Sequence, residues 1–583
     1  MIQKLRIKWP KQRPTHFSII IFVRYFPFVL LALMVCSLLL INAILPLQGM
    51  GEYDALLSRL HAFGRLAFLP THLLFPGLAI GLALPEFPLA WKSTNPISWE
   101  ETALLFSAIL SIFLLYLIAL RSLPAVISRR FLLISTLLLG FTCLIMPVVT
   151  SSDLFSYIAY ARIGVIYHHN PLTTWPASIL SDPVIPYIYW VNQPSAYGPV
   201  WAGITSLLQW LGRGTGIGSI VRMVLLLRLL GLAMHLGSTA LVWNLSGKLQ
   251  LLTGNISSKQ RMRAALAFAW NPLLLFEACV NAHIDTTILF FILLGIWVLL
   301  SKPVARVPSY LLAIVVFALV AAIKLNFLLL LPGLLFYTWH QSRRIATVLA
   351  SIAAYFGSIV LLYAAFWQGG HVLDILRINP ASTRNLNSVA DFVNQFYASI
   401  VHVRVHSLGR GLYTSVSENA THTASIAIFL ILYAILCWRA FRRPGQVNSV
   451  PGLIRWMALV WLLYCAVGSP WFWPWYLVAF FGFFALLEAI HGEASWSFSF
   501  FKLPAAVRLL AFSSFSFYCF YTWGPTHTAI LGDQGLLLTS LRGPWIWLLP
   551  LLALRLPPRR AAEIPFKPFA LRGKSAEPSR PGA

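Results

Sequence analysis

Charged side chains are scarce in this sequence. Only 10% of its 583 residues are charged, whereas 58% are hydrophobic and the mean hydropathy is +0.76. A soluble protein has roughly a quarter of its residues charged. A chain this apolar cannot be solvated by water over most of its surface, so we expect an integral membrane protein.

Acidic residues are the scarcer of the two signs. The chain has 17 Asp and Glu against 43 Lys and Arg, a net charge of +26. On a soluble domain this excess would indicate nucleic-acid binding, but no soluble domain is evident. Cytoplasmic loops of membrane proteins collect Lys and Arg. We therefore expect membrane lipids, and no nucleic acid, as partners of this chain.

Several functional motifs are missing. The sequence contains no GxSxG, Walker A, GxGxxG or HExxH pattern, so hydrolase, nucleotide-driven and metalloprotease functions have no support. Its six cysteines all lie in or beside apolar runs, without CxxC or zinc-like spacing. We interpret them as small buried side chains.

Long apolar runs recur from end to end. A bilayer-spanning helix needs about 20 mostly apolar residues, and we predict an all-α integral membrane protein, a bundle of about fourteen transmembrane helices. The apolar segments are 22–46, 101–120, 131–150, 219–246, 264–281, 284–300, 309–323, 326–338, 345–366, 424–441, 456–469, 476–490, 505–522 and 536–554.

The distribution of charge predicts the orientation. With the N-terminus inside, most Lys and Arg residues fall in the inner loops and most acids fall outside, as the positive-inside rule requires. The long polar loops 47–100, 151–218 and 367–423 are then on the outer face. We predict a multi-pass cell-membrane protein with one transmembrane domain over 1–554, cytoplasmic termini, and a basic disordered tail over 555–583.

The stretch SSDLFSYIAYARIGVIYHHNP follows the apolar segment that ends at 150. If it continues as a helix, Asp153, Tyr157 and Tyr160 share one face, with Arg162 slightly further on. One interpretation is a helix end with interfacial tyrosines. The other is a general base at the edge of low dielectric, with an arginine that binds an anionic group.

A second polar cluster lies between two apolar segments, in AWNPLLLFEACVNAHIDTTILFF. Glu277 lies inside an apolar run, and His283 and Asp285 mark the turn. An acid within a membrane span is costly and is a functional candidate for that reason. Two ligands are too few for a metal site, so we expect hydrogen bonds to a polar substrate and no metal.

Three cations interrupt apolar segments. Arg222, Arg228 and Lys324 each need a carboxylate, backbone carbonyls or a ligand phosphate as partner. Structural pairing with Glu277 and binding of a lipid phosphate both satisfy this need.

Tryptophans are concentrated in the stretch GSPWFWPWYLVAFF. Trp471, Trp473 and Trp475 fit an interfacial aromatic belt, or a surface that stacks on a sugar or a lipid tail.

Five stretches in order resemble a known family. They are SSDLFSYIAYARIGVIYHHNP, SAYGPVWAGI, AWNPLLLFEACVNAHID, IKLNFLLLLP and SPWFWPWYLV. The chain resembles the bacterial polyprenyl-phosphate-mannose-dependent alpha-1,6-mannopyranosyltransferases of the GT-C superfamily. The resemblance implies a GT-C fold, an active site on the outer face and a lipid-phosphate-linked sugar as donor. It also implies Asp153 as the catalytic base, with no metal or other cofactor.

We therefore expect transfer of a sugar, by this resemblance mannose, to a hydroxyl of a glycan or glycolipid. Asp153 is the expected catalytic residue. The candidate substrate-binding residues are Tyr157, Tyr160, Arg162, Tyr197, Arg222, Arg228, Glu277, His283, Asp285, Lys324, Trp473 and Trp475. The alternative is a transporter or flippase of lipid-linked saccharides, which predicts charges near the midplane and repeated halves. We detect no internal repeat.

Overall fold

A computed structural model describes residues 16–44, 99–145, 151–301, 308–401, 416–491, 497–498, 501–531 and 540–555. Most of the predicted outer loop 47–100 and all but the first residue of the predicted tail 555–583 lie outside these residues. The remaining predicted outer loops, 151–218 and 367–423, are described except for 402–415.

The chain is built almost entirely from helices. The α-helices are α1 His16–Ile44, α2 Trp99–Ser122, α3 Arg129–Leu144, α4 Asp153–Val165, α5 Pro199–Gly212, α6 Ile217–Thr253, α7 Ser258–Ala269, α8 Pro272–Cys279, α9 Ile284–Leu299, α10 Ser309–Ile323, α11 Leu331–Ser342, α12 Ile345–Ala364, α13 Ile375–Ile378, α14 Val389–Val401, α15 Val416–Arg442, α16 Val450–Leu463, α17 Val478–Ile490, α18 Leu503–Leu531 and α19 Arg542–Leu548.

Short elements complete the chain. One π-helix turn covers Tyr464–Gly468, and a two-stranded antiparallel hairpin pairs β1 Ser497–Phe498 with β2 Phe501–Lys502. The 3-10 turns are Pro176–Ile179, Ile185–Tyr187, Leu325–Leu330, Gln368–Leu373, Pro380–Ser382, Pro444–Gln446, Pro474–Leu477 and Leu549–Arg555.

Helix boundaries follow the local sequence. The Ser128 side chain accepts a hydrogen bond from Phe131 N at the start of α3, and the Asn271 side chain accepts one from Leu273 N before Pro272 opens α8. These side chains satisfy amide groups that have no partner within the helix. Helix α6 is capped by Gly254, the residue after its last, Thr253. Gly254 has a φ of +72°, the left-handed conformation that glycine adopts without strain.

Helix α6 organises the bundle. It has 37 residues, a length of about 55 Å, and it packs against α3, α4, α5, α7, α8, α9 and α17. This length exceeds the roughly 30 Å hydrocarbon layer of a bilayer, so α6 is long enough to connect both faces of a membrane.

Each of the fourteen predicted apolar segments contains helix in the described residues, and the segment 264–281 is broken at 270–271 between α7 and α8. The prediction of about fourteen membrane spans is not confirmed, however. Within the described ranges, five helices are long and apolar enough to cross a bilayer, namely α2, α6, α12, α15 and α16. The bent pair α8 and α9 brings the number to six if it forms one span. Several apolar segments are instead helices of 17 residues or fewer, or helices broken by Pro and 3-10 turns.

Candidate active site

One large cavity, of about 1130 Å³, lies beside the start of α4. Its walls come from the first turns of α4, the loop 166–198, the end of α10, helix α12 and the segment 464–476. Of the thirteen residues predicted for the site, six line this cavity. They are Asp153, Tyr160, Tyr197, Lys324, Trp473 and Trp475.

Asp153 is the first residue of α4, and both of its carboxylate oxygens accept hydrogen bonds. Trp190 Nε1 donates to Oδ1 at 3.2 Å, and the Tyr197 hydroxyl donates to Oδ2 at 3.3 Å. The positive end of the α4 dipole favours a negative charge at this position. The carboxylate is therefore held in a fixed orientation at the cavity wall.

The proton affinity of Asp153 reflects opposing influences. Burial raises the pKa of its carboxyl group above the usual value, because low dielectric disfavours the charged form. The hydrogen bond from Trp190, the positive charge of Lys324 and the hydrogen bond from Tyr197 act in the opposite direction. A carboxylate with a raised pKa is a stronger base, which suits removal of a proton from a hydroxyl group.

Lys324 lies where α10 ends and supplies a positive charge to the cavity. Its Nζ donates to Asp285 Oδ1 at 3.0 Å and lies 4.0 Å from the centre of the Tyr476 ring. The prediction offered Glu277 as a partner for the cations, but the carboxylate paired with Lys324 is Asp285. Lys324 therefore faces the cavity with a partner that holds it in position.

Gly198 brings Tyr197 close to Lys324. Its N–H donates to the carbonyl of Ile323 at 2.9 Å, and a Cβ at position 198 would lie 2.1 Å from the carbonyl oxygen of Ala322. Only glycine permits this approach of the two backbones. The contact joins the loop that carries Trp190 and Tyr197 to the end of α10.

Two other predicted residues form a layer behind the wall. The ring of His283 stacks on that of Trp475, with centroids 3.8 Å apart, and its Nε2 lies 3.5 Å from Glu277 Oε2. Glu277 accepts hydrogen bonds from the Tyr518 hydroxyl at 2.6 Å and from Asn281 Nδ2 at 3.0 Å. These buried residues support Trp475 and do not line the cavity.

The predicted tyrosines and Trp473 differ in their positions. Tyr160 lines the cavity, and its hydroxyl donates to the carbonyl of Gln193 at 3.2 Å. Tyr157 lies one layer behind, edge-on to the ring of Tyr197 at 5.1 Å. Trp473 stacks on Trp475 with centroids 4.7 Å apart, so an aromatic surface forms part of the wall.

The three predicted arginines lie outside the cavity. Arg162 is buried and bonded to Asp182, Ser219 and the carbonyl of Thr215, so it ties α4 to the loop and to the start of α6. Its prediction as a phosphate contact finds no support in this arrangement.

Arg228 and Arg222 bond to backbone carbonyls instead of to acids. Arg228 donates to Leu144 O at 3.0 Å and Val280 O at 2.8 Å. These carbonyls belong to the ends of α3 and α8, where helices leave acceptors without partners and carry negative partial charge. Arg222 is exposed and donates to the carbonyl of Arg213 at 2.6 Å.

Three residues that line the cavity were not predicted from the sequence. They are Trp190, Asn387 and Arg542. Arg542 interrupts the apolar segment 536–554 as Lys324 interrupts its own, so the same argument applies to it. Trp190 lies in an aromatic-rich outer loop without a specific pattern. Asn387 carries no sequence signal that separates it from the other asparagines of its segment.

Within the described parts of the chain, no three His, Cys, Asp or Glu side chains come together as a metal site would require. That the reaction needs no metal stays a prediction.

Comparison with known proteins finds a family match over the part of the chain that contains Asp153 and Lys324. Residues 81–341 match the family described as alpha-(1->6)-mannopyranosyltransferase, N-terminal domain. The match contains four of the five stretches on which the resemblance rests, and that resemblance is confirmed. No curated protein matches the chain. Over residues 81–341 the chain is therefore similar to the N-terminal domain of the alpha-(1->6)-mannopyranosyltransferase family, a family of mannosyltransferases.

Proposed function

We propose that this chain transfers a mannosyl group from a polyprenyl-phosphate donor to a hydroxyl group of a glycan or glycolipid. The reaction takes place at the outer face of the cell membrane. The observation that carries the proposal is Asp153, held by two hydrogen bonds at the wall of a large cavity that also contains Lys324.

The reaction is a single displacement. Asp153 accepts the proton of the acceptor hydroxyl while its oxygen attacks C1 of the donor sugar. The bond between C1 and the phosphate oxygen breaks, and the polyprenyl phosphate leaves with the electron pair. Lys324 stabilises the negative charge that develops on the phosphate. Because the acceptor attacks opposite the leaving group, a beta-linked donor gives an alpha-linked product.

The other wall of the cavity suits a lipid tail. Ile359, Val360 and Tyr363 of α12 line it, and Ile426 of α15 contributes a further apolar side chain. Both helices are candidate membrane spans. Val360 is also 67% exposed, so the cavity edge reaches the outer surface of a helix that contacts lipid. This arrangement supports entry of the polyprenyl chain from the bilayer, between α12 and α15.

A panel of donors tests the proposal. Membranes that contain the protein, and matched membranes that lack it, are incubated with polyprenyl phosphates that carry labelled mannose, glucose, galactose or arabinose. We expect label to enter glycan from the mannosyl donor alone, and only when the protein is present. Transfer from GDP-mannose with no lipid-linked intermediate, or equal transfer in both membranes, would overturn it.

A further inference from the structure

We propose that one sugar ring of the acceptor binds in a subsite formed by Asn387, Trp190, Trp471 and Arg542. The inference rests on the proposed function and names the residues of the same cavity that recognise the acceptor. Three of these four residues lie beyond the region that matches the family. All four line the cavity.

The backbone of this subsite is fixed by two segments that are distant in sequence. Leu386 N donates to Pro470 O at 2.8 Å, and Phe472 N donates to Leu386 O at 2.9 Å. These bonds form a parallel bridge between Leu386 and Trp471. Asn387 and Trp471 are therefore adjacent because the chain pairs here, and not because of a chance contact.

A helix cap holds Asn387 in an unusual conformation. Its φ is +56°, a region that non-glycine residues rarely occupy and that asparagine tolerates better than most. Its N–H donates to Asp391 Oδ2 at 2.9 Å, while Asp391 N donates to the Ser388 hydroxyl at 3.1 Å. Strained backbone that is held in this way is concentrated at functional sites.

The side chain of Asn387, at the cavity wall, has an acceptor whose hydrogen bonding is unsatisfied. It is fully buried, and its Nδ2 donates to Phe472 O at 3.0 Å. Its Oδ1 is buried and has no hydrogen-bond partner among the described residues. A buried amide oxygen without a partner is costly, and a sugar hydroxyl is a donor that would satisfy it.

The adjacent tryptophans offer a surface for a sugar ring. The rings of Trp190 and Trp471 lie 6.0 Å apart at an angle of 52°. The C–H face of a pyranose is apolar and packs on an aromatic ring, while its hydroxyls point outward to polar partners. Because Trp190 also donates to Asp153, a ring on this surface has its hydroxyls beside the proposed base.

Arg542 adds hydrogen-bond donors to the same group. Its side chain is only 9% exposed and lines the cavity. The next residue, Gly543, packs directly on Asn387's neighbour Ser388, since a Cβ there would lie 2.3 Å from the Ser388 carbonyl oxygen. The positive charge of Arg542 acts on the carboxylate of Asp391, which accepts the hydrogen bond from Asn387 N. Together Arg542 and Asn387 supply the donors and the acceptor that recognition of several hydroxyls requires.

The test separates acceptor recognition from the reaction itself. Full-length protein in lipid nanodiscs is assayed with polyprenyl-phosphate mannose and an alpha-linked mannose oligosaccharide as acceptor. The variants are Asn387→Gly, which keeps the backbone conformation, and Trp471→Ala, with Trp471→Phe in reserve should the alanine variant not fold. Trp210→Ala is the matched control, because Trp210 is 61% exposed and lies outside the cavity.

We expect each cavity variant to raise the KM for the oligosaccharide about tenfold or more, with the KM for the donor unchanged, and we expect no effect in the control. We also expect a long-chain alcohol without a sugar to be a poor acceptor. An unchanged oligosaccharide KM in both cavity variants, or an alcohol that reacts as well as the oligosaccharide, would overturn the inference.

A binding measurement keeps the two proposals distinct. Calorimetry with the oligosaccharide alone, on wild type and Asn387→Gly, requires no donor and no turnover. Weaker binding by Asn387→Gly supports the subsite even if wild type transfers nothing from the lipid donor, a result that would overturn only the proposed function. Equal binding by both proteins counts against the subsite.

Discussion

Burial raises the pKa of Asp153, and the hydrogen bond from Trp190 opposes that rise. A general base must be ionised, so activity falls as the pH drops through the pKa of Asp153, which burial raises. Trp190→Phe removes the donor that stabilises the ionised form. We expect the acidic limb of kcat/KM to move to higher pH in this variant. A pH profile of transfer measures the shift, and a limb that stays in place or moves to lower pH contradicts the assigned role.

Lys324 and Asp285 form a buried pair whose members have separable roles. Replacing Lys324 by Met leaves the Asp285 carboxylate without its partner, a change that costs about 3–5 kcal/mol in buried pairs. We expect Lys324→Met to lower both the melting temperature and the affinity for the donor. Adding Asp285→Asn should restore much of the melting temperature but not donor binding.

Thermal unfolding and donor titration on the two variants measure these effects. If donor affinity returns together with stability in the double variant, Lys324 acts only in folding.

The charged residues predicted from the sequence differ in the groups that neutralise their charge. Asp153 and Lys324 could be found because a charge at the end of an apolar segment is conspicuous. The same signal marks Arg228, which donates hydrogen bonds to the carbonyl ends of two helices. A sequence shows where a buried charge is, but not whether backbone or ligand neutralises it. For Asn387 the decisive facts are a left-handed backbone and an unsatisfied oxygen, which only coordinates reveal.

At the scale of elements, the contact between the loop 166–198 and the end of α10 positions the reacting groups. It depends on Gly198, where a Cβ would lie 2.1 Å from Ala322 O and 2.8 Å from the Tyr363 hydroxyl. We expect Gly198→Ala to force the two segments apart and to lower kcat, since small displacements of catalytic groups are costly.

Transfer assays on Gly198→Ala measure this effect, and Gly203→Ala is the control. A Cβ at position 203 meets no atom within 4 Å. Equal activity in the two variants would show that the contact is dispensable.

The helices themselves were the most predictable elements. Apolar runs and caps place them well, because burial in lipid and local backbone satisfaction both act over short stretches. The bend of 110° between α8 and α9 was less accessible, since it arises from packing between helices. The predicted number of spans is not confirmed within the described residues, and a short apolar helix can be buried within the bundle without crossing the bilayer.

At the scale of the whole molecule, α6 runs from the end of the bundle that contains the cavity to the end that contains the start of α7. Arg228 bonds to carbonyls near the cavity, whereas Gln250 bonds to the carbonyl of Ser257 at the start of α7. The intervening helix is about 33 Å long, comparable to the hydrocarbon layer. The cavity and the start of α7 should therefore be exposed on opposite faces of the membrane.

Cysteine labelling tests this orientation in intact cells. Ser382, which is exposed and lines the cavity, and Ser258, which is exposed at the start of α7, are each replaced by Cys. We expect an impermeant maleimide to label Ser382→Cys and not Ser258→Cys. The wild type provides the background, because its six thiols are buried or half-buried. The reverse pattern would place the cavity on the inner face.

The role of Asp153 is the centre of the account. The most direct measurement is single-turnover transfer of mannose by purified Asp153→Asn, with donor affinity determined on the same sample. Loss of a general base lowers rates by about 10²–10⁴-fold, so we predict a loss of that size with donor affinity close to that of wild type. Transfer by Asp153→Asn at a rate near that of wild type would contradict the account.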